Sequence, residues 1–174
     1  MVFGMSLGTY TLVHVVISLV GIGSGFVVLY GLLTGKRLDR WTAVFLATTV
    51  VTSVTGFGFP VQKLLPSHVV GAISLVLLAI AIPARYSFHL AHAWRRVYVI
   101  GAVTALYLNV FVLIGQSFLK VPALKALAPT QSEPPFHVAQ LIVLVLFIVL
   151  GVLAVKRFRD QPTLAAAAAS TSTN

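Results

Sequence analysis

The sequence predicts an all-α integral membrane protein, a bundle of five transmembrane helices. Three observations predict it. The 174 residues are 59% apolar and only 9% charged, with a mean hydropathy of +1.02, whereas soluble domains carry about 25% charged residues. Five apolar runs, each near the ~20 residues that cross a bilayer as a helix, fall at about 8–34, 41–61, 66–84, 94–119 and 135–156. The cations sit in short clusters between these runs instead of along one amphipathic face, so the formal charge of +9 reads as a topology signal and not as a nucleic-acid surface. With no cysteine in the chain, disulfides, thiolate metal sites and cysteine nucleophiles are excluded.

The first run has no basic leader and no small-residue cleavage site, and it exceeds the ~7–15 residues of a signal-peptide core, so it reads as a retained helix. Within it Gly21 and Gly25 have the small-xxx-small spacing that lets helices approach closely in lipid; packing inside the chain is the expected use, dimerisation the alternative. The second run carries "TTVVTSVTGFGFP", where Thr48, Thr52 and Thr55 repeat on one helical face and are expected to face protein. Gly58 and Pro60 are expected to end or kink that helix. The third run is the shortest and Pro83 is expected to end it. An alternative fold therefore has four spans with this segment re-entrant.

The fourth run is followed by "KVPALKALAP", apolar enough to lie on a membrane surface as a short helix. Thr130 and Glu133 in "APTQSEPPF" have the Thr-x-x-Glu spacing of a capping box, and prolines suit the first turn that follows, so the fifth helix is expected to start there. Residues 1–160 make one transmembrane domain. The low-complexity tail 161–174, "QPTLAAAAASTSTN", is expected to be disordered and cytoplasmic.

Orientation follows from the cations. Lys36, Arg37, Arg40, Arg85, Arg95, Arg96, Lys156, Arg157 and Arg159 follow spans one, three and five; Lys63, Lys120 and Lys125 occupy the other loops. The bias puts the N-terminus outside and the C-terminus in the cytoplasm. Trp41 and Trp94 then fall at the cytoplasmic interface, where amphipathic rings are favoured. "HLAHAWRR" holds His89 and His92 beside Arg95 and Arg96, and it reads as a basic segment touching anionic membrane lipid in preference to a metal site.

The same topology gathers polar residues at the outer leaflet. His14 lies roughly a turn and a half inside span one. His68 begins span three, His137 and Gln140 begin span five, Gln116 and Ser117 end span four, and Thr55 ends span two. Polar groups inside membrane spans are costly and tend to mark sites, so His14, His68, Gln116, Thr55 and Gln140 form a candidate pocket. For His68 and His137 the plainer reading is interfacial solvation, and for His14 an inter-helix hydrogen bond. A b-type haem needs two neutral imidazoles at matching depth, which His14 and His68 supply. A zinc or copper site using His137 as well lacks any carboxylate or thiolate. A quinone or lipid pocket needs only a His or Gln donor and an apolar cleft.

Several activities are argued down. Proton-coupled transporters usually carry intramembrane acids, but Asp39, Glu133 and Asp160 all lie in loops or at ends. No Gly-x-Ser-x-Gly or His-Glu-x-x-His string is present, and "GIGSGF" lacks the lysine of a phosphate loop.

"TSVTGFGFP" (52–60), the segment from "WRRVYVIGAVTALYLNVF" through "APTQSEPPF" (94–136) and "HVVISLVGIGSG" (14–25) together resemble a group of small, uncharacterised bacterial integral membrane proteins. The resemblance implies a bacterial inner membrane and a helical fold. It brings no activity and no catalytic residue. The expectation is a non-enzymatic subunit or accessory protein that binds a partner or a small hydrophobic ligand, alone, as a homo-oligomer or in a larger membrane complex. The alternative is a b-type haem or quinone-linked electron-transfer protein; a channel or transporter is a third reading.

Overall fold

The computed structural model describes residues 4–60 and 66–158, and among these every regular element is a helix. They are α1 (Leu7–Thr34), α2 (Asp39–Gly56), α3 (Pro66–Tyr86), α4 (Ala93–Lys120), the short α5 (Pro122–Leu127) and α6 (Pro134–Arg157). Four of them, α1, α3, α4 and α6, are long and apolar enough to cross a membrane, which marks an integral membrane protein. Lys63, Arg159, Asp160, the last residue of the expected second span and the tail 161–174 lie outside the described residues.

The second expected run also forms a helix, but a shorter one than the expected 41–61. Helix α2 stops at Gly56, short of residue 61, and has 18 residues, several of them threonine, so it falls below its neighbours in length and apolarity. The third run forms one continuous helix of 21 residues, long and apolar enough to cross a membrane. Pro83 deprives the Ala79 carbonyl of an intrahelical donor, yet α3 continues to Tyr86, and the Pro83 carbonyl accepts from both Ser87 and Phe88 N–H at 2.9 Å.

Helix α1 starts where the Ser6 hydroxyl accepts from Thr9 N–H at 3.1 Å, an N-cap that satisfies one orphan donor. It ends at Gly35, whose φ of 72° is the left-handed conformation glycine tolerates. Between them a stripe of Tyr10, His14, Ser18, Gly21 and Gly25 runs down one face and meets the Thr55, Thr52, Thr48 and Phe45 face of antiparallel α2. A Cβ on Gly25 would come within 2.5 Å of Leu106 Cδ1 and 2.9 Å of the Phe45 ring; the α1 backbone therefore packs directly on α2 and α4. The threonine stripe faces protein as expected. Thr48 and Thr55 also donate to Val44 and Val51 carbonyls at 2.6 and 2.7 Å, which meets their hydroxyl protons within the helix.

Helix α4 is the hub, packed on α3, α6, α1 and α5. Its face carries Tyr98, Val99, Ala102, Ala105 and Leu106, all nearly inaccessible, and Gly101 brings it close to Ala81 of α3. The turn from α3 to α4 holds His89, Leu90 and His92 at positive φ, uncommon for non-glycine residues. Leu90 is buried in the core, and Phe88 stacks on Trp94 with ring centroids 4.0 Å apart.

Helix α6 starts at the expected prolines, and half of the expected capping box forms ahead of it. The N-cap of α6 is Glu133, followed by Pro134 and Pro135, while the Glu133 carboxylate accepts from Thr130 N–H, Thr130 Oγ1 and Ser132 N–H. The bond from Thr130 N–H to the Glu133 carboxylate is the one a capping box makes, but the helix begins only at Pro134 and Thr130 Oγ1 donates to that carboxylate, so the pair closes the turn before α6 instead of capping it.

Candidate functional site

The end of the bundle that holds the N-terminus of α1 and the C-terminus of α2 gathers the described polar and aromatic groups most closely. Tyr10 donates its hydroxyl to the Thr55 carbonyl at 2.7 Å. One turn deeper, His14 Nδ1 lies 2.8 Å from Thr55 Oγ1. Hydrogen-bond bookkeeping favours one tautomer. Thr55 Oγ1 also lies 2.7 Å from the Val51 carbonyl; with its one proton given to that carbonyl, Thr55 accepts and His14 donates from Nδ1. When the ring is neutral, that arrangement leaves its lone pair on Nε2. Ser18, the next residue on this face, donates to the His14 carbonyl at 2.7 Å.

The turn after α2 supplies the aromatic walls. Phe59 meets Tyr10 edge-on with centroids 4.9 Å apart and His14 edge-on at 5.1 Å. Phe57 packs on His68 at 5.6 Å, and Phe57 also approaches Gly71, one turn further along α3. Thus α1, α2 and α3 converge on "FGF" (57–59), with one histidine on each phenylalanine. His68 is buried, 8% exposed, so its environment is protein and not bulk interface.

The other expected members are placed elsewhere. Gln116 is exposed near the end of α4. Gln140 is buried on α6, where its Nε2 donates to the Phe111 carbonyl at 3.1 Å and its Oε1 has no partner; its contact is with α4. His137 is exposed, with Nδ1 3.2 Å from the Glu133 carbonyl one turn back on its own chain. Among the described residues, no three His, Asp or Glu side chains gather in a way that could hold a metal ion.

Tyr10, Phe57 and Phe59 were missed in the sequence, although two signals pointed to them: Tyr10 precedes His14 by one helical turn, and "GFGFP" alternates rings with glycines. Gln131 was missed as well. It sits at positive φ and donates to the Gly115 carbonyl at 2.6 Å, tying the α5–α6 loop to α4.

No protein family, curated protein or solved structure matches this chain. Function is therefore argued from the residues themselves.

At the opposite end the expected interfacial residues divide. Trp41 and Arg96 are exposed, and Trp94 is half-exposed on Phe88. Arg95 instead donates to the Phe158 carbonyl, and its guanidinium lies 3.4 Å from the Val155 carbonyl, a cation on the negative C-terminal end of α6. Arg85 forms an ion pair with Asp39, and its guanidinium lies over the Tyr98 ring at 5.1 Å. Both arginines hold helices together besides any contact with lipid headgroups.

Proposed function

We propose that the chain is a small, non-enzymatic accessory protein of a bacterial inner membrane that holds a small hydrophobic ligand at its histidine end. The single observation that carries this reading is the Thr55–His14 pair, which engages Nδ1 and leaves Nε2 of a ring packed edge-on against Phe59 for a ligand. Such a group accepts one hydrogen bond from a hydroxyl or N–H head while rings enclose an apolar body. A membrane pocket needs little more to select an amphiphile of that kind. In this proposal α2 completes a five-span bundle, with the N-terminus and the histidines at the outer leaflet and the C-terminus in the cytoplasm, in keeping with the cation bias.

The test is mass spectrometry of an organic extract from the full chain purified in mild detergent, compared with His14→Phe. A specific apolar molecule bearing a hydroxyl or N–H group, depleted about tenfold in the variant, is the expected result. Identical extracts overturn the reading. An active cytoplasmic reporter at the C-terminus is expected from the topology, and activity only on the outer side overturns it.

The Nε2 lone pair is what an axial haem ligand offers, so b-type haem or quinone-linked electron transfer is the second reading. A Soret band in oxidised and dithionite-reduced spectra, lost in His14→Ala, would select it.

A further inference from the structure

On the flank between α4 and α6 runs an open groove with a cavity volume of about 510 Å³. It lies away from the histidine end and does not share its residues. Val103, Tyr107, Phe147 and Val155 wall it, and Gly151 forms its floor on α6 because no side chain projects there. One end is cationic: Lys156 lines the groove, with Arg157 beside it in the last turn of α6. Arg95, in the first turn of α4, reaches the same helix end.

We propose that this groove seats one acyl chain of an anionic glycerophospholipid, with the lipid phosphate at Lys156. Two observations select that occupant. The first is length. From Leu144 to Lys156 the α6 wall rises about 18 Å at ~1.5 Å per residue, close to the ~15 Å of hydrocarbon in one leaflet, half the ~30 Å core. A groove that runs from a helix end to the bilayer midplane fits a single chain anchored at its headgroup. The second is charge. Among the described residues the walls are apolar apart from Thr104 and the phenol of Tyr107, and the ionic lining group is Lys156, at the helix end where a headgroup phosphate lies. A transmembrane partner helix would need a groove through both leaflets and no charge at this end.

Lipid retention by the intact chain, read by native mass spectrometry after release from detergent, tests the assignment. Phosphatidylglycerol and phosphatidylcholine of equal acyl length are the probes. The wild-type chain is expected to retain phosphatidylglycerol about fivefold better, the worth of one cation near an anionic headgroup. Lys156→Gln, an exposed substitution, is expected to abolish the preference while leaving phosphatidylcholine retention unchanged. Gly151→Leu is expected to reduce retention of both lipids. Gly151→Ala is expected to change neither, since a Cβ there meets Val103 Cγ1 at an ordinary 3.5 Å.

Equal retention of the two lipids by the wild type overturns the proposal, as does a preference that survives Lys156→Gln. Undiminished retention by a folded Gly151→Leu chain also overturns it, and so does conversion of a dimer to monomers by that change, which would assign the groove to a second copy. If Gly151→Leu does not fold, the Lys156→Gln comparison decides.

Discussion

His14 and Thr55 are joined across the α1–α2 seam by a 2.8 Å hydrogen bond. The bond orients the imidazole and makes the threonine hydroxyl indispensable in a way a methyl group is not. Thr55→Val is expected to destabilise the chain by about 1 kcal/mol, the scale of inter-helix hydrogen bonds in membranes, while Thr55→Ser stays near wild type. Thermal unfolding in detergent, followed by circular dichroism, checks this; equal melting of the valine and serine variants would refute the assigned role.

Two neighbouring glycines on α1 make an internally controlled pair. A Cβ at Gly25 collides with Leu106 and Phe45, whereas a Cβ at Gly23 meets nothing within 4 Å. Gly25→Ala is therefore expected to cost about 1–3 kcal/mol by overpacking. Gly23→Ala is expected to be neutral or stabilising, since alanine is the better helix former. The same melting experiment reads both, and equal effects would mean that α1 does not pack as described.

The turn into α4 carries strain at His92, whose φ of 47° and ψ of −119° suit glycine alone. His92→Gly is expected to raise stability by about 1 kcal/mol. Loss of stability would show instead that the imidazole makes a contact worth more than the strain.

Glu133 gives a pH dependence outside the membrane segments. Desolvation pulls its pKa upward, but the hydrogen bonds from Thr130 and Ser132 outweigh it and hold the carboxyl below its usual value. A lowered folded-state pKa contributes stability that is complete above the unfolded value and is lost as pH falls through the folded one. The melting difference between wild type and Glu133→Gln is thus expected to be constant above about pH 5 and to fade below about pH 4. A difference independent of pH would remove the carboxylate from this role.

Much of the bundle was legible because apolar run length is a one-dimensional signal. Four of the five long helices agree with the expected spans to within two residues at each end. The threonine face of α2 was legible for a related reason, since helical period alone decides which residues share a side. Gln116 was misplaced because a shared depth does not give a shared azimuth: it lies at a depth that suits the pocket but on an exposed face of α4. Burial of charge was equally invisible. Arg85 reads as a loop cation, yet its side chain is 6% exposed while that of Asp39 is 78% exposed, an outcome set by how α2 and α3 meet. The end of α2 was overrun because Phe57 and Phe59 extend the apolar run past Gly56 although the helix has already stopped.

The contact of Arg95 with the last carbonyls of α6 also bears on how the chain is made. Those carbonyls lie about sixty residues downstream, so a ribosome has delivered all of α4 and α5 before their acceptor exists. Helices α1 to α4 share most of the buried interior, while α6 leaves much of its surface outside it. Helix α6 is the last of the described helices to be made, and a chain halted before Phe158 would leave Arg95 without the carbonyl it meets here.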